Sequence, residues 1–116
     1  MLYHGSCHCG NIAFDIDGEV QGLMECNCSI CRRRGHTLWF VPRKQLTLKT
    51  PQANISTYQF NKKVIQHHFC AKCGCAPFGE GINPKDNVLI AAVNVRCLDD
   101  FDMTKYKITQ FDGKSL

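Results

Sequence analysis

The sequence predicts a mainly β fold of antiparallel sheets, on three observations. Ile12, Phe14 and Ile16 alternate with Ala13, Asp15 and Asp17, the period-two pattern of a half-buried strand. Short apolar runs recur along the chain, separated by turn pairs at Asp17-Gly18, Asn61-Lys62, Asn83-Pro84 and Asp112-Gly113. The stretch from Val88 to Val95 is apolar throughout except at Asn94. Short strands with turn residues every ten or so positions favour sheets packed on one another.

The elements follow in order. A strand is expected around Ile12 to Asp17, and a second over Thr37 to Val41, where Pro42 ends it. Pro42 to Leu46 reads as one helical turn, followed by a short strand over Leu46 to Lys49. Ile55 to Phe60, Val64 to Phe69 and Val88 to Val95 supply three more strands. With 116 residues and no linker, repeat or low-complexity segment, the chain reads as one domain, 1–116. A core of that size is modest enough to gain from metal staples.

Composition is ordinary, 44% hydrophobic and 21% charged, apart from nine cysteines. No segment approaches the roughly 18 to 20 apolar residues of a membrane helix. The start, Met1 to Cys7, lacks a basic segment followed by an apolar run, so it does not read as a secretory signal. A cytoplasmic, reducing setting is therefore expected, in which dense cysteines act as metal ligands rather than disulfides. Their odd number agrees with that reading.

Cys70-Ala71-Lys72-Cys73-Gly74 is a C-x-x-C-G turn, which converges two thiolates on one metal, and the glycine permits the positive φ it requires. Cys7-His8-Cys9-Gly10 is a shorter version. Small and aromatic residues follow both, in Asn11 to Phe14 and Ala76 to Phe78. The two turns read as comparable knuckles closing one four-thiolate site from Cys7, Cys9, Cys70 and Cys73.

The middle cluster, Cys26, Cys28 and Cys31, offers three thiolates within six residues of a loop. A structural zinc takes four protein ligands, whereas a catalytic zinc keeps one position open. The cluster is thus the candidate reactive site. Two alternatives stand beside it: a fourth ligand such as His36 or Cys75 closes the site, or the loop holds no metal.

The formal charge of +4 invites a nucleic-acid partner. Seven bound thiolates and two divalent ions would bring it to about +1. The longest basic run is Arg32 to Arg34, Arg43-Lys44 and Lys62-Lys63 lie elsewhere, and no aromatic stacking platform is evident. A nucleic-acid partner is not expected.

Three blocks carry a family resemblance: Gly5-Ser6-Cys7-His8-Cys9-Gly10-Asn11-Ile12-Ala13-Phe14, Cys26-Asn27-Cys28-Ser29-Ile30-Cys31-Arg32-Arg33, and Phe69-Cys70-Ala71-Lys72-Cys73-Gly74. In this order, they resemble the signature blocks of the glutathione-dependent formaldehyde-activating enzyme family, which includes the centromere-protein-V-like proteins. The tail, Val95 to Asp100 and Gln110 to Gly113, is similar more loosely. The resemblance implies a β-tent fold with two zinc ions per chain. Cys7, Cys9, Cys70 and Cys73 would be structural ligands, and Cys26, Cys28 and Cys31 active-site ligands. Two positions depart from the pattern: Gln66-His67-His68 stands where many relatives carry a basic residue, and Cys75 where serine is common. Cys75 reads as an inert small hydrophobe and Cys97 as a buried free thiol.

The function implied is that of a carbon–sulfur lyase acting on glutathione-type adducts, with the substrate thiol at the open three-cysteine zinc. An incoming thiol loses its proton readily beside a cation, and three thiolates weaken Lewis acidity, which favours thiol capture over water activation. A peptide-like thiol brings carboxylates, and Arg32 and Arg33 are the candidate partners. His36, His67 and His68 are candidate proton carriers. The alternative is a non-catalytic zinc-binding β module for protein interaction.

Overall fold

The computed structural model describes residues 1–60 and 64–115. Among them the mainly β expectation holds. The elements in chain order are β1 (Leu2–Ser6), β2 (Ala13–Asp17), β3 (Leu23–Cys26), α1 (Ser29–Arg34), β4 (Leu38–Pro42), β5 (Leu46–Leu48), β6 (Ile55–Tyr58), β7 (Ile65–Cys70), β8 (Phe78–Asn83), β9 (Val88–Asn94) and β10 (Ile108–Phe111). The helical turn expected after Pro42 is a 3-10 turn over Arg43–Gln45. The expected turn at Asn61-Lys62 lies outside the described residues.

The strands form a three-stranded sheet, β1-β2-β5, and a larger one, β10-β3-β4-β9-β8-β7-β6. Pairing is antiparallel as expected, except that β10 lies parallel to β3 with Phe111 opposite Cys26. A parallel neighbour needs a long connection, and here most of the chain supplies it.

Alternation decides which faces meet. Phe14 and Ile16 of β2 are almost fully buried, while Asp15 and Asp17 point away. They pack with Tyr3 and Leu46 of the small sheet onto Trp39, Val41, Phe78, Ala91 and Val93 of the large one. Edge-on aromatic pairs bridge the sheets: Phe14 against Phe78 at 5.5 Å and Tyr3 against Trp39 at 5.3 Å. Each such side chain contributes about 1.5–3 kcal/mol by leaving water.

Other elements are less visible in the sequence. β8 reads Phe-Gly-Glu-Gly-Ile-Asn, and two glycines hide a strand. Gly79 sits close to its neighbour there, since a Cβ would lie 3.1 Å from the Gln66 carbonyl oxygen across the ladder. The segment after β3 is the six-residue helix α1 rather than a loop, too short to show an apolar period.

Candidate metal centre

The fold brings the two outer cysteine clusters together. The chain leaves β1 into Cys7 and leaves β7 at Cys70, and at both places it makes a similar turn, one residue tighter at Cys7. Cys7 donates its backbone N–H to the Ile12 carbonyl at 2.9 Å, and Cys70 donates to that of Cys75 at 2.9 Å. Gly10 and Gly74 donate back to the Cys7 and Cys70 carbonyls. Their φ values of 82° and 81° explain why glycine occupies both positions. The Ile12 N–H reaches the Cys7 sulfur at 3.3 Å and the Cys73 N–H the Cys70 sulfur at 3.5 Å.

The sulfurs of Cys7, Cys9, Cys70 and Cys73 lie within 4.8 Å of one another. Cys7 and Cys9 are 3.7 Å apart, and Cys9 and Cys70 3.6 Å. Disulfides need about 2.05 Å, so these are thiols, as are all nine cysteines. Tetrahedral zinc with Zn–S bonds of about 2.3 Å sets sulfurs about 3.8 Å apart. The donor set therefore fits a zinc ion in number, chemistry and spacing. The backbone N–H groups of Cys75 and Cys9 bring the Cys73 thiol down to about 5. Those of Cys73 and Lys72 lower Cys70 as well. At Cys9 the Asn11 N–H pulls down, but lost solvation and the adjacent sulfurs prevail and carry it to about 11.

Cys26, Cys28 and Cys31 form a second convergent group. Its elements differ from the first: Cys26 ends β3, Cys28 caps α1, and Cys31 lies in its first turn. Helical spacing of three sets Cys28 and Cys31 on neighbouring surface. The Cys28 N–H reaches the Cys26 sulfur at 3.4 Å. Burial works against the Cys28 thiolate, yet the N–H groups of Cys31 and Ile30 and the adjacent sulfurs lower its pKa. Burial and the Cys28 neighbour raise Cys31 to about 12. Among the described residues, no further His, Cys, Asp or Glu joins either group, so neither His36 nor Cys75 closes the second. Cys97 is half-buried, takes a contact from the Asn94 side-chain amide at 3.5 Å, and is raised to about 11 by burial.

Arg32, Arg33 and Arg34 form the last turn of α1. Arg32 is one turn from Cys28, whose carbonyl accepts its N–H at 2.9 Å, and so shares the cysteine side of the helix. Arg33 donates Nη1 to the Ser29 carbonyl at 2.8 Å and lines a recess of about 390 Å³ with Ser29, Ile30, Tyr58 and Phe60. His67 stacks on Phe60, which stacks on Tyr58. Burial, then nearby Arg34, lowers His67 and takes His36 to about 4. His68 faces the core at 4% exposure. Its Nδ1 is paired with the Thr57 hydroxyl and its Nε2 lies 3.4 Å from Glu80, which Arg43 also holds. That residue is structural, so the candidate proton carriers reduce to His36 and His67.

The sequence missed two residues at the second group. Asn27, between the cysteines, is tied to the C-terminal segment, and Gly113 abuts Cys26. The only sequence signal was the Asp112-Gly113 pair, read as a turn.

A family model described as glutathione-dependent formaldehyde-activating enzyme matches residues 2–113. A crystal structure of a Rhodobacter sphaeroides protein superposes with a TM-score of 0.77 at 25% identity, covering 91% of this chain and 99% of that one.

Proposed function

The chain belongs to the glutathione-dependent formaldehyde-activating enzyme family, and from that premise we propose that it is a carbon–sulfur lyase acting on adducts of a glutathione-type thiol. The supporting observation is an asymmetry: among the described residues, one cysteine group has four sulfurs and the other three. Four thiolates complete a structural site, and three leave a position for a substrate.

Cys7, Cys9, Cys70 and Cys73 would hold the structural zinc, and Cys26, Cys28 and Cys31 the second. A zinc ion in the second group would supply a cation that lowers the pKa of an incoming thiol. The protein's own groups do the rest. Cys26, Cys28 and Cys31, fixed by β3 and the first turn of α1, set where the substrate sulfur arrives, and positioning accounts for much of the rate. Arg32, on the same side of α1, pairs with a carboxylate of the thiol, and Arg33 offers a second cation at the adjoining recess.

In the forward direction the substrate S–H bond breaks and a carbon–sulfur bond forms at the aldehyde carbon. The carbonyl π pair moves to oxygen, which takes up a proton to give the hydroxymethyl thioether. The lyase direction reverses each step. The S–H proton passes to an imidazole and from it to the oxygen, and His36 and His67, both lowered by burial, are the candidate carriers.

Calorimetric titration of glutathione into zinc-loaded protein tests this reading. Binding heat is expected for the wild type and its loss for Cys28→Ser. No heat, or heat indifferent to the substitution, refutes the reading and favours a non-catalytic zinc module.

A further inference from the structure

We propose that the C-terminal segment Phe111 to Lys114 is a strap that positions the Cys26 sulfur, with Gly113 and Asn27 as its positioning residues. The inference rests on the reading that Cys26, Cys28 and Cys31 hold a metal.

Two independent features carry it. The first is a contact that only glycine permits. A Cβ on Gly113 would lie 2.5 Å from the Cys26 sulfur and 3.3 Å from the Cys28 Cβ. Non-bonded heavy atoms settle near 3.5–4.0 Å, so an added methyl must part the sulfur and the segment by about 1 Å. A metal site tolerates ligand distances only within about 0.2 Å. Cys26 can relieve the clash by turning its side chain, but then its sulfur leaves the group of three. The requirement for glycine is therefore steric and tied to the position of that sulfur.

The second feature is a set of bonds that Asn27 makes to Phe111, Asp112 and Lys114, far along the chain. Its backbone N–H donates to the Phe111 carbonyl at 3.2 Å. Its amide Nδ2 donates to Asp112 Oδ1 at 2.9 Å, and its Oδ1 accepts the Lys114 N–H at 2.8 Å. The other Asp112 oxygen accepts the Ser115 hydroxyl at 2.7 Å. Asn27 thus uses donor and acceptor on three residues of one segment, while Cys26 and Cys28 flank it. The parallel ladder of β10 on β3 sets the same register, with Phe111 opposite Cys26. Isolated exposed bonds of this kind are weak, but here they act together on the residue between two ligands.

Cobalt(II) titration of the metal-free chain tests the strap, because thiolate-to-cobalt absorption reports each group of sulfurs separately. The wild type is expected to take two equivalents. Gly113→Ala should take the first as before and the second at least about 10-fold more weakly, the usual size of outer-shell effects on metal affinity. Asn27→Asp, which sets a carboxylate against Asp112, should do the same. The double change Asn27→Asp with Asp112→Asn should restore the second equivalent, because it reverses donor and acceptor and keeps the Lys114 bond. The retained first equivalent reports that the variants fold.

Variants that bind both equivalents like the wild type overturn the strap, as do variants that weaken both sites equally. Failure of the double change to rescue overturns the part given to Asn27. A wild type that takes one equivalent overturns the strap and the proposed function together. Two equivalents with no glutathione heat remove the function and leave the strap standing.

Discussion

Removing one sulfur from each group should destabilise the protein unequally. In the four-thiolate group, Cys9 and Cys70 are 61 positions apart, and their sulfurs meet at 3.6 Å. A metal there closes a long loop, and denatured-chain entropy makes such a closure worth about 4 kcal/mol. The cysteines at 26, 28 and 31 close only a very short one. Loop entropy scales as the logarithm of loop length, so the two closures should differ by about 2 kcal/mol. Cys9 is exposed, which makes Cys9→Ser a clean test without a cavity or buried hydroxyl.

For a chain of this size that closure, lost when Cys9→Ser empties the site of its zinc, corresponds to a fall in Tm of about 15 °C. Cys28→Ser should fall short of it by about 8 °C. The measurement is thermal unfolding of both zinc-loaded variants and the wild type, followed by circular dichroism with zinc content determined in parallel. Equal losses in the two variants, or a wild-type Tm for Cys9→Ser, would refute the assignment of Cys9 and its partners as the staple.

Two further predictions concern the core and pH. Gly5→Ala would set a Cβ 2.6 Å from Phe14 Cζ and 3.0 Å from Leu98 Cδ2. Overpacking of this kind costs about 1–3 kcal/mol, and an unchanged Tm would contradict the packing. Burial takes His36 from 6.5 to about 4 in the folded chain, so the unfolded chain binds its proton first. Stability associated with the neutral ring is complete above pH 6.5 and declines as pH falls toward 4. The full shift equals about 3 kcal/mol, which solvent at the half-buried ring reduces to about 1 kcal/mol. His36→Gln should accordingly flatten the fall in Tm between pH 7 and pH 5; parallel curves for variant and wild type would count against this cause.

Much of the centre is legible in the residue order because its determinants are local. Cys70 to Gly74 fixes a knuckle through a few dihedrals, and Cys7 to Gly10 repeats it, so both could be recognised at a distance of some sixty residues. Phe14 and Ile16 announced their strand because alternation is a property of one strand alone. Where no local rule applied, the sequence was silent. In β8, Gly79 lies where a neighbouring carbonyl leaves little room for a side chain. His68 looked like a proton carrier until Thr57 and Glu80, from other strands, enclosed it.

The second cysteine group divides along the same line. The residue order determined that three thiolates would converge, since Cys26, Cys28 and Cys31 are within reach of one another whatever the rest of the chain does. It could not place Gly113 on the Cys26 sulfur or close Asn27 onto Asp112. Those contacts depend on β10 returning beside β3 in one register, which the packing of both sheets decides. Individual bonds of that kind contribute about 1 kcal/mol and leave no periodic trace in the sequence. The ligands are therefore written locally, and the wall beside them exists only in the folded chain.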